Sequence, residues 1–255
     1  MNRRVFLGAL GTVASLGTIG YATRDTVDRL DVRVWLTERA AEYDAVTTRI
    51  RDYLGRILDL DHWTLDLSIG GVVPVSTEDG ARVTNRGEWP RAVAAGAIGR
   101  RDIEPAADVN LLVTDGQMED APTGYGVPHV ASVGGARYIA TLPPFDELIA
   151  STSAAERSRK IVPNTTPTRT MQVLVHEVGH ALGLTHEHGV AYRYGDSIVA
   201  SPMLSSYAWS PAYDGDESAC GTSYPDPDGL DRKLSLVFST CTRRALAEYN
   251  GSLTA

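Results

Sequence analysis

One stretch constrains this chain more than any other: His176-Glu177-Val178-Gly179-His180-Ala181-Leu182-Gly183-Leu184-Thr185-His186. His176 and His180 stand four apart, which on an α-helix puts them about 40° apart on one face. Two imidazoles stacked in that way can grip one metal ion. Glu177 lies about 100° round from His176, at the edge of that face, where its carboxylate can touch a water on the metal without being a ligand. Met171, Leu174, Val178 and Ala181 form an apolar stripe on the opposite side, suited to burial. Thr166 before Pro167 is expected to cap and open the helix. Gly183 is expected to end it, because glycine enters the left-handed conformation at little cost. The turn then brings His186 back as a third nitrogen. Three protein ligands leave a fourth position for water, the mark of a catalytic rather than a closed structural zinc site.

The pattern H-E-x-x-H-x-x-G-x-x-H, met at His176, Glu177, His180, Gly183 and His186, resembles the signature of the metzincin zinc endopeptidases. A bare H-E-x-x-H is easily met by chance; the extended form on an amphipathic segment with a glycine stop is far more specific. The resemblance implies an α+β, zincin-like fold. Its parts are a twisted, mixed five-stranded sheet, a long helix, the zinc-binding active helix and a smaller irregular C-terminal part ending in a helix. It also implies one catalytic Zn2+ on His176, His180 and His186, Glu177 as general base, and a protein or peptide substrate. Ser201-Pro202-Met203-Leu204-Ser205 follows at a distance suited to the family's methionine turn. Met203 would then be an apolar floor under the zinc, not a ligand. Some members place a tyrosine two residues after that methionine. This chain has Ser205 there, with Tyr207 four after Met203, which leaves the role of Tyr207 open. In the family an edge strand lies antiparallel to substrate; here that corresponds to about Pro128–Val133, where a peptide could add as a further strand.

A leader and a single metzincin-like domain account for the length, with the leader at 1–22, the domain at 23–255, and its two parts dividing near 184/185. Asn2-Arg3-Arg4-Val5-Phe6-Leu7 followed by an uncharged run to about Ala22 resembles a twin-arginine export signal. The run is long enough to span a membrane, but glycines and hydroxyl residues thin its hydrophobicity, so a cleaved signal is favoured over an anchor. An exported, extracellular or cell-surface protein without stable membrane insertion is expected. Little chain separates the leader from the first strand, and no cysteine precedes the zinc motif to cap the metal, so any latency is expected to come from elsewhere. Cys220 and Cys241 are the only cysteines, and after an export signal a disulfide between them is the leading reading.

The charge is acidic, with 24 basic against 32 acidic residues. Losing Arg3 and Arg4 with the leader takes the net charge from −8 to −10. That balance argues against nucleic acid as a partner. Lysine occurs only at Lys160 and Lys233. A lysine-poor, aspartate-rich surface resembles proteins of salt-loving microbes, although a GC-rich genome gives the same preference for arginine. A Ca2+ site around Asp226, Asp228 and Asp231 is weakly supported, since the spacing does not match an EF-hand.

Alternation predicts strands at Leu30–Leu36 and Trp63–Ile69, and Ala107–Thr114 reads as a strand ending in an Asp-Gly turn, with a long amphipathic helix from Thr37 to about Leu58. A short helix is expected within Trp89–Ile98. Val127–Val133 and Ala136–Leu142 read as a hairpin around Gly134-Gly135, and Leu234–Tyr249 as a closing helix. A monomer is expected. The alternatives to an endopeptidase are a non-catalytic zinc-stabilised peptide-binding module and a narrow-specificity envelope peptidase or amidase. His188 is close to His186 but fails the motif spacing; His62 and His129 read as surface or supporting groups.

Overall fold

The computed structural model describes residues 27–118, 123–204, 220 and 229–251. Among them are two mixed sheets and eight α-helices. The first sheet has the order β2-β1-β3-β5-β4, with β1 (Arg29–Leu36), β2 (Thr64–Val72), β3 (Val109–Val113), β4 (Gly124–Val127) and β5 (Val130–Val133). All neighbours are parallel except the β4/β5 pair, which is antiparallel.

The central strand β3 is apolar apart from Asn110 and buried throughout, as a strand covered on both faces must be. Leu111 and Val113 turn to one side, with Leu30, Val32 and Val34 of β1. There they meet α1 (Val46–Ile57), whose buried Val46, Ile50, Tyr53, Leu54 and Ile57 recur at helical spacing. On the other side Leu112, Trp35 and Val130 pack under α2 (Gly80–Asn85) and α3 (Glu88–Ala97). Trp89 is 1% exposed, sits edge-on to Trp35 at 6.1 Å and donates from Nε1 to the Asn110 carbonyl. Replacing Trp89 with alanine therefore removes both packing and a buried hydrogen bond. A loss of about 3–5 kcal/mol in urea unfolding is expected.

Three helices precede the motif in the chain: α4 (Ala136–Ala140), α5 (Phe145–Ala150) and α6 (Ala154–Arg159). The short strand β6 (Ile161–Pro163) leads into α7 (Thr166–Ala181), which carries the motif. Beyond it, β7 (Ala191–Tyr194), β8 (Ser197–Ala200) and β9 (Asp231–Ser235) join β6 in a second sheet of order β6-β9-β8-β7. Helix α8 (Thr240–Ala247) closes the described chain. The Gln172 side-chain amide donates to the Ala200 and Ser235 carbonyls, pinning α7 to the ends of β8 and β9.

Several expectations need correction. Ala136–Leu142 is not a strand: Ala136 and Ile139 are buried three apart on α4, and Asp115 takes both the Arg137 N–H and its guanidinium. The hairpin instead joins β4 to β5 through Pro128-His129, with His129 in the left-handed region at φ 67°. The edge strand is accordingly β4, not Pro128–Val133, because β5 lies between β3 and β4. The long helix from Thr37 is broken into a 3-10 turn at Ala40–Glu42 and α1; between them extended Tyr43 reaches Asp115 with its hydroxyl. Helix α2 was not expected; Asp79 caps it by accepting the Arg82 N–H. The N-cap of α7 is Thr165, with Thr166 already helical and Pro167 in the first turn. Leu234–Tyr249 divides into β9 and α8, because Ser239 caps a fresh helix there. The C-terminal part is also less irregular than expected, since it contributes three strands of the second sheet.

Glu156 on α6 is bonded to Lys233 on β9 and to Ser153, and these partners hold its carboxyl down at about 2. A carboxylate depressed in this way contributes stability that is complete above its unfolded value near 4.5 and disappears as pH falls through about 2. The stability gap between wild type and Glu156→Gln should then be flat above about pH 5 and close towards pH 2. Urea titrations at stepped pH measure it. The leader at 1–22, Tyr207, Asp226 and Asp228 lie outside the described residues. Among the described residues, no helix is long and apolar enough to cross a membrane.

Candidate metal centre

Helix α7 begins in a capping box between Thr165 and Thr168 and buries Met171, Leu174, Val178 and Ala181 against the first sheet. That leaves His176 and His180 on the other face. The helix stops in a Schellman turn. Gly183 takes φ 83°, its N–H bonds the His180 carbonyl, and the Leu184 N–H bonds the Gly179 carbonyl at 2.9 Å. The turn has two consequences for the site. It places the Leu184 carbonyl 2.8 Å from His180 Nδ1, and it returns the chain so that His186, in a 3-10 turn at His186–His188, faces the other two rings.

The three Nε2 atoms converge. They lie 3.0 Å apart for His176 and His180, and 3.2 Å apart for each of the two pairs that include His186. Among the described residues this is the group of histidine, cysteine and carboxylate side chains close enough to hold a metal ion. His176 Nδ1 donates to the Pro202 carbonyl at 2.7 Å, and His180 Nδ1 donates to that of Leu184. With their protons spent on carbonyls, both rings turn an Nε2 lone pair into the cluster. Lone pairs packed so closely repel one another unless a cation lies among them. Tetrahedral zinc, with Zn–N bonds of about 2.0–2.1 Å, sets its nitrogen donors about 3.3 Å apart, so this set fits zinc with little movement.

Electrostatics keep the rings in the ligating form. Burial, helped by the His180 and His186 rings, pushes His176 down to about 3 against the pull of the Pro202 carbonyl. Burial likewise lowers His180 and His186. Each shift favours the neutral imidazole, the form a metal ligand must take.

Glu177 is 6% exposed and lies under β4. A methyl group on Gly124 would meet its carboxylate at 2.7 Å. One on Gly126 would meet the Glu177 carbonyl and His180 Cβ, each at 2.6 Å. These two glycines, on one face of the strand, let main chain pass directly over the cluster. Burial pushes the Glu177 carboxyl up to about 8, opposed by the Gly126 N–H, which donates to it. A cation among the imidazoles would favour the carboxylate form.

Met203 is fully buried below α7, and a methyl group on Gly179 would meet its sulfur at 2.3 Å. Its neighbour Pro202 supplies the carbonyl that orients His176. Cys220 and Cys241 form a disulfide. His188 is not one of the converging donors; its Nδ1 accepts the Thr185 N–H. His62 meets Trp63 edge-on, and His129 Nδ1 donates to the Asp108 carbonyl, while its main-chain N–H donates to the Ala181 carbonyl at the end of α7. The sequence reading missed Gly124 and Gly126, while His129 is a supporting group, one of the two roles that reading gave it. The Gly-x-Gly alternation in β4 was the available signal, since glycine on one face of a strand marks a close approach.

No known family model matches the chain, and no curated protein matches it. Among solved structures it is similar to the archaemetzincin of Methanopyrus kandleri at 14% identity, over 85% of this chain and 94% of that one, with a TM-score of 0.38. At that level the likeness assigns no activity to this protein.

Proposed function

We propose that the protein is a zinc-dependent endopeptidase, with His176, His180 and His186 as the metal ligands and Glu177 as the general base. The observation that carries this reading is the convergence of three imidazoles beside a buried carboxyl, beneath the outermost strand of a sheet. When bound, zinc supplies Lewis acidity to a water molecule and to the scissile carbonyl. Glu177 takes the proton of the attacking water and passes it to the departing amine. Among the described residues no strand pairs with the outer side of β4, which offers main-chain hydrogen bonds to an extended peptide. Gly124 and Gly126 keep side chains from separating that peptide from the cluster. The Cys220–Cys241 disulfide suits an oxidising compartment, in keeping with an exported protein.

The test is cleavage of a diverse peptide library by the zinc-loaded protein, by the same protein after chelation, and after zinc is restored. Cleavage that stops on chelation and returns with zinc supports the reading. Cleavage indifferent to chelation contradicts it. No cleavage of any peptide by fully loaded protein leaves the zinc-stabilised binding module as the better description.

A further inference from the structure

His186 differs from the other two imidazoles. His176 and His180 are each oriented by a carbonyl at Nδ1. Among the described residues the polar contacts of the His186 ring run only to the other two rings, and the residue is exposed. Its direction is therefore set by the backbone of the turn that carries it.

That turn is gripped from three sides. Within it, Thr185 and His188 cap one another, and the Gly189 N–H bonds the His186 carbonyl at 2.8 Å. On one flank Gly189 lies so close to the chain at Leu204 that a methyl group would meet its Cα at 2.6 Å. On the other flank the His188 carbonyl accepts the Thr242 hydroxyl at 3.0 Å, with Cys220 Sγ 3.8 Å away. Thr242 is fully buried in the first turn of α8, where Ser239 accepts its N–H. Cys241, the residue before it, is bonded to Cys220. Helix α8 and the disulfide thus form a bracket that ends on a carbonyl two residues from His186.

We propose that Thr242 is a positioning residue for His186, held in place by the Cys220–Cys241 disulfide, and that this bracket sets the affinity of the centre for its metal. The proposal rests on the reading of His186 as the third ligand. A hydroxyl that only stabilised α8 would act on folding alike whether or not His186 is present. A hydroxyl that aims His186 loses its effect on metal affinity once that ring is gone.

Zinc affinity of the full-length protein, measured by competition with a chromophoric chelator, separates these cases. Thr242→Val should raise the zinc Kd about tenfold, as loss of an outer hydrogen bond does at other zinc sites, and Thr242→Ser should stay within about twofold of wild type. In a His186→Ala background, Thr242→Val should change the Kd by less than about twofold. Equal shifts in both backgrounds, or no shift in the wild-type background, overturn the proposal. Should Thr242→Val fail to fold, the paired change Cys220→Ser with Cys241→Ser carries the same test, with the same expected and contradicting results. Zinc binding absent from the wild type sinks the proposed function itself. Tight wild-type binding with an unaltered Kd in the variant sinks only the bracket.

Discussion

Replacing Glu177 with alanine should lower peptide hydrolysis by about 10²–10⁴-fold, the range that a positioned general base supplies, while zinc content should stay at that of the wild type. The two outcomes separate because Glu177 does not belong to the group of converging donors. Its carboxyl is buried against Gly124 and Gly126 of β4, and its ordinary value is raised to about 8 by that burial. Alanine leaves the Gly126 N–H without this acceptor but also removes a carboxyl that burial penalises, so the net change in stability is small. Glu177→Gln keeps an acceptor for Gly126 and should lose activity equally. Rate and metal content measured on the same preparations make the check. Activity near wild type in either variant removes Glu177 from the mechanism.

The second large effect falls on the metal. His180 faces both other rings and is itself fixed through Leu184. His180→Ala should weaken zinc binding by more than about 100-fold, beyond the 10–100-fold cost of losing an outer partner, and hydrolysis should fall with it. The fold should survive, because α7 is held by its buried stripe and by Gln172 rather than by the imidazoles. Circular dichroism and equilibrium dialysis together test this. Full zinc occupancy in the variant would mean that the ion binds elsewhere.

How much of this was legible in the residues depended on the length of the local signal. The course of α7 from its apolar stripe to Gly183 follows from a period of 3.6 and a glycine stop, both short-range. The strands of the first sheet near Leu30 and Trp63 were legible for the same reason, since alternation needs only the strand itself, and the strand near Val109 was legible from a run closed by an Asp-Gly turn. Ala136–Leu142 misled because over so short a run Ala136, Ile139 and Leu142 satisfy a helical spacing while their neighbours still alternate. The choice was made by Asp115, twenty-two residues before Arg137, which no local pattern reveals. The edge position of β4 is likewise a matter of pairing order. The carbonyls that orient His176 and His180 come from Pro202 and Leu184. Main-chain atoms leave no trace in residue identity. The second sheet was missed because its strands are three to five residues long and meet across sequence gaps of up to seventy-odd residues.

The most direct measurement is X-ray absorption at the zinc edge of the full-length protein, with elemental analysis of the same sample. One zinc per chain, with three imidazole nitrogens at about 2.0–2.1 Å in its inner shell, is the predicted result. A preparation offered ample zinc that retains none, or one whose zinc is surrounded by ligands other than those three rings, would contradict it.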